Sequence, residues 1–165
     1  MSEIKNKKMH LQTKQGMSLI ELVVLIAIIG IMSAVSIASL VTAKRNSELD
    51  TAAEEVMAVL REAQNYSLTG KNISSTCSSY TVDFTNGSGN YNLNNGGGCT
   101  LDQNYTLKNG VVVSVSTDTV FMAPHGDIFG LGSGWRTITV SKGGITMNVC
   151  INSAGLVKKM SAACS

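Results

Sequence analysis

The chain has 165 residues, enough for one domain and an anchor segment, and its 44% hydrophobic content is concentrated in the N-terminal part. The formal net charge is +2, but the first 16 residues hold four lysines and one glutamate, so the remainder has nine basic and ten acidic residues. This balance argues against the strongly basic proteins that coat nucleic acids.

The first element is a basic N-terminal segment followed by an uncharged run. Leu22–Ala43 has 22 residues and no charge, which is enough for a helix to cross a bilayer core of about 30 Å. Because the lysines precede this run, we expect the N-terminus to stay in the cytoplasm and the rest to face outward. Glu21 stands at the start of the run, where an unpaired carboxylate costs about 2.5 kcal/mol or more. A carboxylate at such a position usually has a function.

Residues 14–22, with the sequence KQGMSLIEL, resemble the class III signal of type IV pilins and pseudopilins. That family usually has Phe after the Gly, where this chain has Met17. The resemblance implies that a prepilin peptidase cleaves after Gly16 and methylates the new N-terminus. The Met17 amine and Glu21 of a neighbouring subunit would then pair, because each charge alone is costly in lipid. The alternative is a carboxylate that snorkels to the head groups from an ordinary anchor helix.

The next segment continues the helical pattern beyond the uncharged run. Residues 44–69 contain no Pro or Gly, and Gly70 supplies a stop signal. Apolar residues spaced by three and four share one helix face: Leu49, Ala53, Val56, Leu60 and Ala63. Charged residues populate the other face: Glu48, Asp50, Glu54, Glu55, Arg61 and Glu62. We predict one helix over residues 18–69, whose apolar stripe needs a packing partner.

Short β-rich runs separated by turns follow the helix. We predict strands at 80–84, 111–116, 119–123, 136–141 and 145–151, and a weaker one at 156–160. Lys142-Gly143-Gly144 is the best candidate for a hairpin turn. Residues 74–103 are rich in Ser, Asn and Gly, and we interpret them as a loop-like insert. One face of an antiparallel sheet packed on the helix stripe gives an α+β head.

All four cysteines lie beyond the uncharged run, on the side predicted to face outward. An even number there indicates two disulfides in an oxidising compartment. Of the three connectivities, we favour Cys77 with Cys99 and Cys150 with Cys164, because each pair closes a short loop. A zinc site is the alternative, but no pair has close ligand spacing, and cleavage after Gly16 leaves one histidine.

Two segments of the head also resemble the GspH/FimT group of minor pseudopilins: Leu60-Arg61-Glu62-Ala63-Gln64 and Ser153-Ala154-Gly155-Leu156-Val157. This resemblance covers about residues 45–160. It implies a pilin-like fold, in which a long N-terminal membrane-spanning helix packs on an antiparallel β-sheet head. The predicted domains are a cleaved cytoplasmic leader, 1–16, a transmembrane and assembly segment, 17–43, and an extracytoplasmic head, 44–165, that includes the amphipathic helix half 44–69.

The sequence offers little support for catalysis. His125 and Asp127 lie in a Pro-His-Gly-Asp turn, where loop hydrogen bonding is far commoner than a catalytic pair. Gly96-Gly97-Gly98 lacks the Lys and the helix of a phosphate-binding loop. We expect no enzymatic activity, cofactor or metal. A membrane-tethered hydrolase that uses His125 remains the least favoured class of function.

Charge is distributed unevenly along the head. Residues 46–127 sum to −6, whereas residues 128–165 sum to +4 and contain Arg136, Lys142, Lys158 and Lys159. Some proteins similar to the FimT branch bind DNA through a basic C-terminal region, and phosphate contacts would need such cations. However, Leu156 stands where that branch usually has a basic residue, and adjacent lysines on a strand point to opposite faces. The competing interpretation is a solvated edge strand.

The sequence therefore favours a minor pilin or pseudopilin subunit of a type IV pilus or a type II secretion pseudopilus. The implied partners are the prepilin peptidase, other pilin or pseudopilin subunits and an inner-membrane assembly platform. The expected location is the cytoplasmic membrane, crossed once with the head outside the cytoplasm, and then the pilus or pseudopilus. The alternative function is a DNA-uptake receptor in natural transformation.

Overall fold

The computed structural model describes residues 16–71, 77–96 and 99–164, without the side chains of residues 34–38. The predicted leader lies outside these residues except for Gly16, and so do five side chains of the predicted membrane segment. Contacts divide the chain into two units, Met1–Leu40 and Val41–Ser165. This division falls three residues before the boundary predicted from the sequence.

The first unit contains the beginning of helix α1 (Leu19–Thr69). The carbonyl of Ser18 accepts a hydrogen bond from the Leu22 N–H at 3.2 Å, so Ser18 is the residue that caps the helix. The bounds of α1 agree with the predicted helix, 18–69, to within one residue. The described apolar side chains of this unit are exposed, as at Leu19 (80%) and Ile20 (71%).

Within the described part of the chain, no helix meets the length and hydropathy needed to span a membrane.

In the second unit, the remainder of α1 carries the buried stripe. The five predicted stripe residues are all 0% exposed: Leu49, Ala53, Val56, Leu60 and Ala63. They share one core cluster with residues of the strands that follow. The helix ends where Gly70 adopts a φ of 67° and its N–H donates to the Tyr66 carbonyl at 2.9 Å. A left-handed glycine of this kind satisfies a free carbonyl at a helix end, and the predicted stop signal is confirmed.

Nine strands are formed by the described residues. Their bounds are β1 (Ser79–Phe84), β2 (Asn90–Asn94), β3 (Asp102–Thr106), β4 (Val112–Val115), β5 (Thr119–Met122), β6 (Asp127–Ile128), β7 (Trp135–Lys142), β8 (Ile145–Asn152) and β9 (Val157–Met160). They build two antiparallel sheets, sheet 1 with the order β3-β2-β1-β5-β6 and sheet 2 with the order β4-β7-β8-β9. The α+β class is confirmed, whereas the single predicted sheet is wrong. The short connection between β4 and β5 takes the chain from one sheet to the other, since β4 pairs with β7 and β5 pairs with β1.

Strands β2 and β3 lie in or at the end of the segment predicted as a loop, so that prediction is wrong for them. Tyr91 and Leu93 of β2 point into the core and are 4% and 0% exposed. The alternate positions carry asparagines whose side chains form hydrogen bonds with neighbouring strands. For example, Asn92 Nδ2 donates to Asn104 Oδ1 of β3 at 3.0 Å. Side-chain amide bonds therefore support strands whose residues have low intrinsic β-propensity.

The hairpin between β7 and β8 is confirmed. Lys142 is the register partner of Ile145, and the two turn residues Gly143 and Gly144 have φ values of 56° and 83°. Positive φ at both positions suits the right-handed twist of the flanking strands. Alternate residues of this hairpin enter the core and are 0% exposed: Ile138, Val140, Val149 and Ile151.

Candidate functional site

The predicted processing and assembly residues lie at the start of α1. Met17 is 64% exposed, and Glu21 is exposed in the first helical turn. No ion pair among the described residues includes Glu21. Ser18 and Glu21 have the Ser-x-x-Glu spacing of a capping box, although the Glu21 side chain makes no hydrogen bond with the described residues. A carboxylate in the first turn is also stabilised by the positive end of the helix dipole, so Glu21 is suited to the start of the helix.

The four predicted bridge-forming cysteines are joined in two disulfides. Cys77 pairs with Cys99, with Cα atoms 6.2 Å apart, and Cys150 pairs with Cys164, with Cα atoms 5.6 Å apart. These are the two pairs that the sequence favoured. Because all four sulfurs are in disulfides, the zinc site considered as an alternative has no thiolate to use.

The second disulfide fastens the C-terminal segment to β8. Asn148 Nδ2 adds to this attachment by donating to the Ala162 carbonyl at 2.9 Å. The edge strand β9 is therefore flanked by a segment that is covalently held to the neighbouring strand.

Lys142, one of the four predicted DNA-binding cations, contacts the helix. Its Nζ lies 2.5 Å from Glu48 Oε2, with the Lys142 side chain 24% exposed and the Glu48 side chain 14% exposed. Lys44 is a second, more distant partner of Glu48 at 4.0 Å. The hydrogen bond from Lys142 lowers the pKa of Glu48 below its ordinary value of 4.5, against the opposing effect of burial.

Lys159 makes an equivalent contact from β9. Its Nζ lies 2.5 Å from Asp50 Oδ1 and 2.7 Å from Glu54 Oε1. Asp50 and Glu54 are four residues apart on α1 and therefore neighbours on its surface, so one ammonium group fits between them. The hydrogen bonds to these two carboxylates raise the pKa of Lys159 above its ordinary value of 10.5.

The other two cations have different surroundings. Lys158 Nζ lies 4.0 Å from the centroid of the Trp135 ring, a cation–π contact on the sheet face opposite to Lys159. Arg136 Nη1 donates to the Asp118 carbonyl, and burial lowers the pKa of the Arg136 guanidinium. The four predicted DNA-binding residues are therefore divided between two sheet faces, and each has a partner within the chain.

These contacts explain the uneven charge of the head. Two cations of the basic C-terminal part contact Glu48, Asp50 and Glu54, which were predicted to lie on the helix face away from the apolar stripe. The role of these three acids as partners of Lys142 and Lys159 was not predicted from the sequence. Asp50 and Glu54 are four residues apart and therefore neighbours on the helix surface, which was the available signal, whereas Glu48, two residues before Asp50, lies on a different side of the helix.

His125 and Asp127, the two residues considered for catalysis, are both exposed: His125 lies in the turn between β5 and β6, and Asp127 is the first residue of β6. In the part of the chain that the structure describes, neither side chain makes a hydrogen bond or ion pair. The arrangement does not connect His125 to an acidic residue that would orient it.

Comparison with protein-family models, with curated proteins and with solved structures finds no match for this chain. What the protein does is therefore inferred from its own residues and contacts.

Proposed function

We propose that this chain is the precursor of a minor pilin or pseudopilin subunit. A prepilin peptidase cleaves it after Gly16, and the segment 17–43 holds it in the cytoplasmic membrane with the head, 44–165, outside the cytoplasm. An inner-membrane assembly platform then adds it to other pilin or pseudopilin subunits. The product is a type IV pilus or a type II secretion pseudopilus, and the role of this subunit is mechanical.

One observation carries this proposal. Gly16-Met17 and Glu21 stand between four lysines and a run of 22 uncharged residues. Cleavage there creates an amine on Met17 that is as costly in lipid as the Glu21 carboxylate. The two charges neutralise each other when the amine of one subunit meets the carboxylate of its neighbour, and this pairing sets the axial register.

Two findings on the described residues support the proposal. Glu21 is exposed and outside every described ion pair, so its carboxylate is available to a neighbouring subunit. The head contains two disulfides, which form and persist in oxidising compartments outside the cytoplasm.

The test is mass spectrometry of the full chain expressed with and without a prepilin peptidase. The expected product begins at a methylated Met17 and is shorter by residues 1–16. Gly16→Ala should block this cleavage, and Gly30→Ala is the matched control in the apolar segment. A Cβ atom at either glycine meets nothing within 4 Å, so neither change is sterically disruptive. An intact N-terminal methionine in the presence of the peptidase, or trimming after Ala43, would refute the proposal.

The DNA-uptake receptor gains no comparable support. A phosphate-binding surface needs cations that are free to contact the backbone of DNA. Lys142 and Lys159 instead contact helix carboxylates, and Arg136 donates to a backbone carbonyl.

A further inference from the structure

A groove of about 300 Å³ opens between α1 and the strands β2 and β3. Its helix side carries Glu55 and Glu62, which are seven residues or about two turns apart, with Ala58 and Val59 between them. Tyr91 and Tyr105 line the strand side. The groove therefore combines an apolar floor, two aromatic side chains and two carboxylates.

The aromatic side belongs to a stack of rings that crosses sheet 1. Phe84, Tyr91 and Tyr105 are successive register partners on β1, β2 and β3. The ring centroids are 5.6 Å apart for Phe84 and Tyr91 and 5.2 Å apart for Tyr91 and Tyr105, with interplanar angles of 22° and 13°. Because β3 is the edge strand, Tyr105 ends the stack, and no other ring of the described residues stacks on it.

The hydroxyl of Tyr91 reaches the groove although the side chain as a whole is buried. Tyr91 is 4% exposed, and its hydroxyl has no hydrogen-bond partner among the described residues. The one fully buried side-chain oxygen without a partner in this part of the chain is Thr119 Oγ1, so the Tyr91 oxygen remains accessible in the groove that Tyr91 lines. Burial, followed by the negative charge of Glu55, raises the pKa of Tyr91. A hydroxyl of this kind can hydrogen-bond to a ligand that enters the groove.

The carboxylate of Glu62 is oriented by the Tyr66 hydroxyl, which donates to Glu62 Oε1. Tyr105 Oη lies 2.8 Å from Gln103 Oε1, its nearer acceptor, and 3.3 Å from Glu62 Oε2. Burial and the charge of Glu62 raise the pKa of Tyr105 to about 12. Glu55 and Glu62 are in no ion pair of the described residues, whereas Glu48, Asp50 and Glu54 on the same helix each have a lysine partner. The groove is therefore negatively charged and holds no cation of its own within the described chain.

We propose that this groove binds the arginine side chain of a partner protein. A guanidinium group is planar and always charged, stacks on aromatic faces and forms paired hydrogen bonds with a carboxylate. Tyr105 at the end of the stack supplies the aromatic face, and Glu62, already oriented, supplies the carboxylate. The methylene groups of the arginine would cover Ala58 and Val59. This inference concerns the head alone and does not depend on cleavage after Gly16.

The test uses the full chain in detergent micelles with ¹³C-labelled tyrosine rings. The probes are N-acetylarginine methylamide and N-acetylcitrulline methylamide, which match in shape and differ in charge. We expect the ring signals of Tyr91 and Tyr105 to shift saturably with the arginine probe, with binding at least about fivefold weaker for citrulline. Tyr80, which is 0% exposed, is the internal reference for the fold.

Two variants and one control locate the binding. Glu55→Gln and Glu62→Gln should each weaken arginine binding by about threefold or more, because each removes one negative charge from the groove. Glu54→Gln changes the same charge at the adjacent residue, whose carboxylate faces Lys159. An unaltered chain that shows no saturable shift, or that responds equally to both probes, overturns the proposal. So does a Glu54→Gln variant that loses as much affinity as Glu55→Gln.

Discussion

Lys142 Nζ donates to Glu48 Oε2 at 2.5 Å, which joins the last residue of β7 to the amphipathic part of α1. Lys159 makes the second such connection, from β9 to Asp50 and Glu54. Sheet 2 is thus attached to the helix by charge-assisted hydrogen bonds in addition to apolar contacts.

The connection between Lys142 and Glu48 makes the stability of the head depend on pH. The folded-state pKa of Glu48 is lowered, so its contribution is present above the ordinary value of 4.5 and is lost as the pH falls through the lowered pKa. We expect Glu48→Gln to lower the urea midpoint of the full chain in micelles at pH 7, and the difference from wild type to shrink as the pH falls below 4.5. Asp127→Asn, at an exposed acid outside the described ion pairs, is the control. A difference that is constant across this range would contradict the prediction.

The buried stripe can be tested with two equivalent substitutions on one helix. Leu60 is 0% exposed and Leu68 is 53% exposed. Leu60→Ala should lower the free energy of unfolding by about 2–5 kcal/mol, because it leaves a cavity in the core. Leu68→Ala should change it by about 0.5 kcal/mol or less. If urea denaturation gave equal losses of unfolding free energy for the two variants, burial of the stripe would not be what stabilises the packing of helix and sheets.

The disulfide between Cys150 and Cys164 joins two residues that are 14 positions apart in the sequence and so closes a short loop. Its replacement by two serines should lower the free energy of unfolding by about 3 kcal/mol, mainly because the unfolded chain gains freedom. Chemical denaturation of the oxidised protein provides the measurement. Wild-type protein treated with a reductant should lose at least as much stability, because Cys77–Cys99 is then broken as well.

Substitutions of Glu21 separate the proposed ion pair with a neighbouring subunit from an effect on the start of the helix. Gln is also accepted at this position of a capping box but carries no charge, whereas Ala provides neither property. We expect both Glu21→Gln and Glu21→Ala to leave cleavage after Gly16 intact and to reduce the amount of subunit in sheared fibres. Immunoblots of the fibre fraction measure this, with Asp127→Asn as the control. Wild-type incorporation of the Gln variant would assign Glu21 to helix capping alone.

DNA binding by the head is tested by a gel shift at several salt concentrations. Because Lys159 is held by Asp50 and Glu54 and Lys158 lies over Trp135, we expect no salt-dependent shift. A shift that weakens with salt and disappears in the double variant Lys158→Ala, Lys159→Ala would restore the receptor hypothesis. Lys108→Ala provides a control at an exposed lysine of the acidic part of the chain.

The sequence predicts those elements whose pattern is local. The stripe from Leu49 to Ala63 follows helical spacing, and Ile138, Val140, Val149 and Ile151 alternate in a way typical of strands. Strand β2 was missed because three of its five residues are asparagine, although Tyr91 and Leu93 alternate with them. Its stability comes from amide bonds and ring stacking with other strands, which no local pattern contains.

The candidate sites also differ in whether a local sequence pattern or contacts between distant segments define them. Gly16, Met17 and Glu21 form a local motif and are visible in the sequence, as is the even number of cysteines. The partners of Lys142 and Lys159 depend on which sheet face meets the helix, and that is set by strand register. The groove beside Tyr105 could not be predicted because it combines a helix with two strands that the sequence analysis took for a loop.

The ring stack of Phe84, Tyr91 and Tyr105 lies in sheet 1, while the single tryptophan of the chain, Trp135, lies in sheet 2. Each sheet therefore carries its own reporter: the ¹³C ring signals of Tyr91 and Tyr105 for the first and indole fluorescence of Trp135 for the second. Superimposable melting curves from the two signals would show that the head unfolds as one cooperative unit. Displaced curves would show which of the two sheets unfolds first.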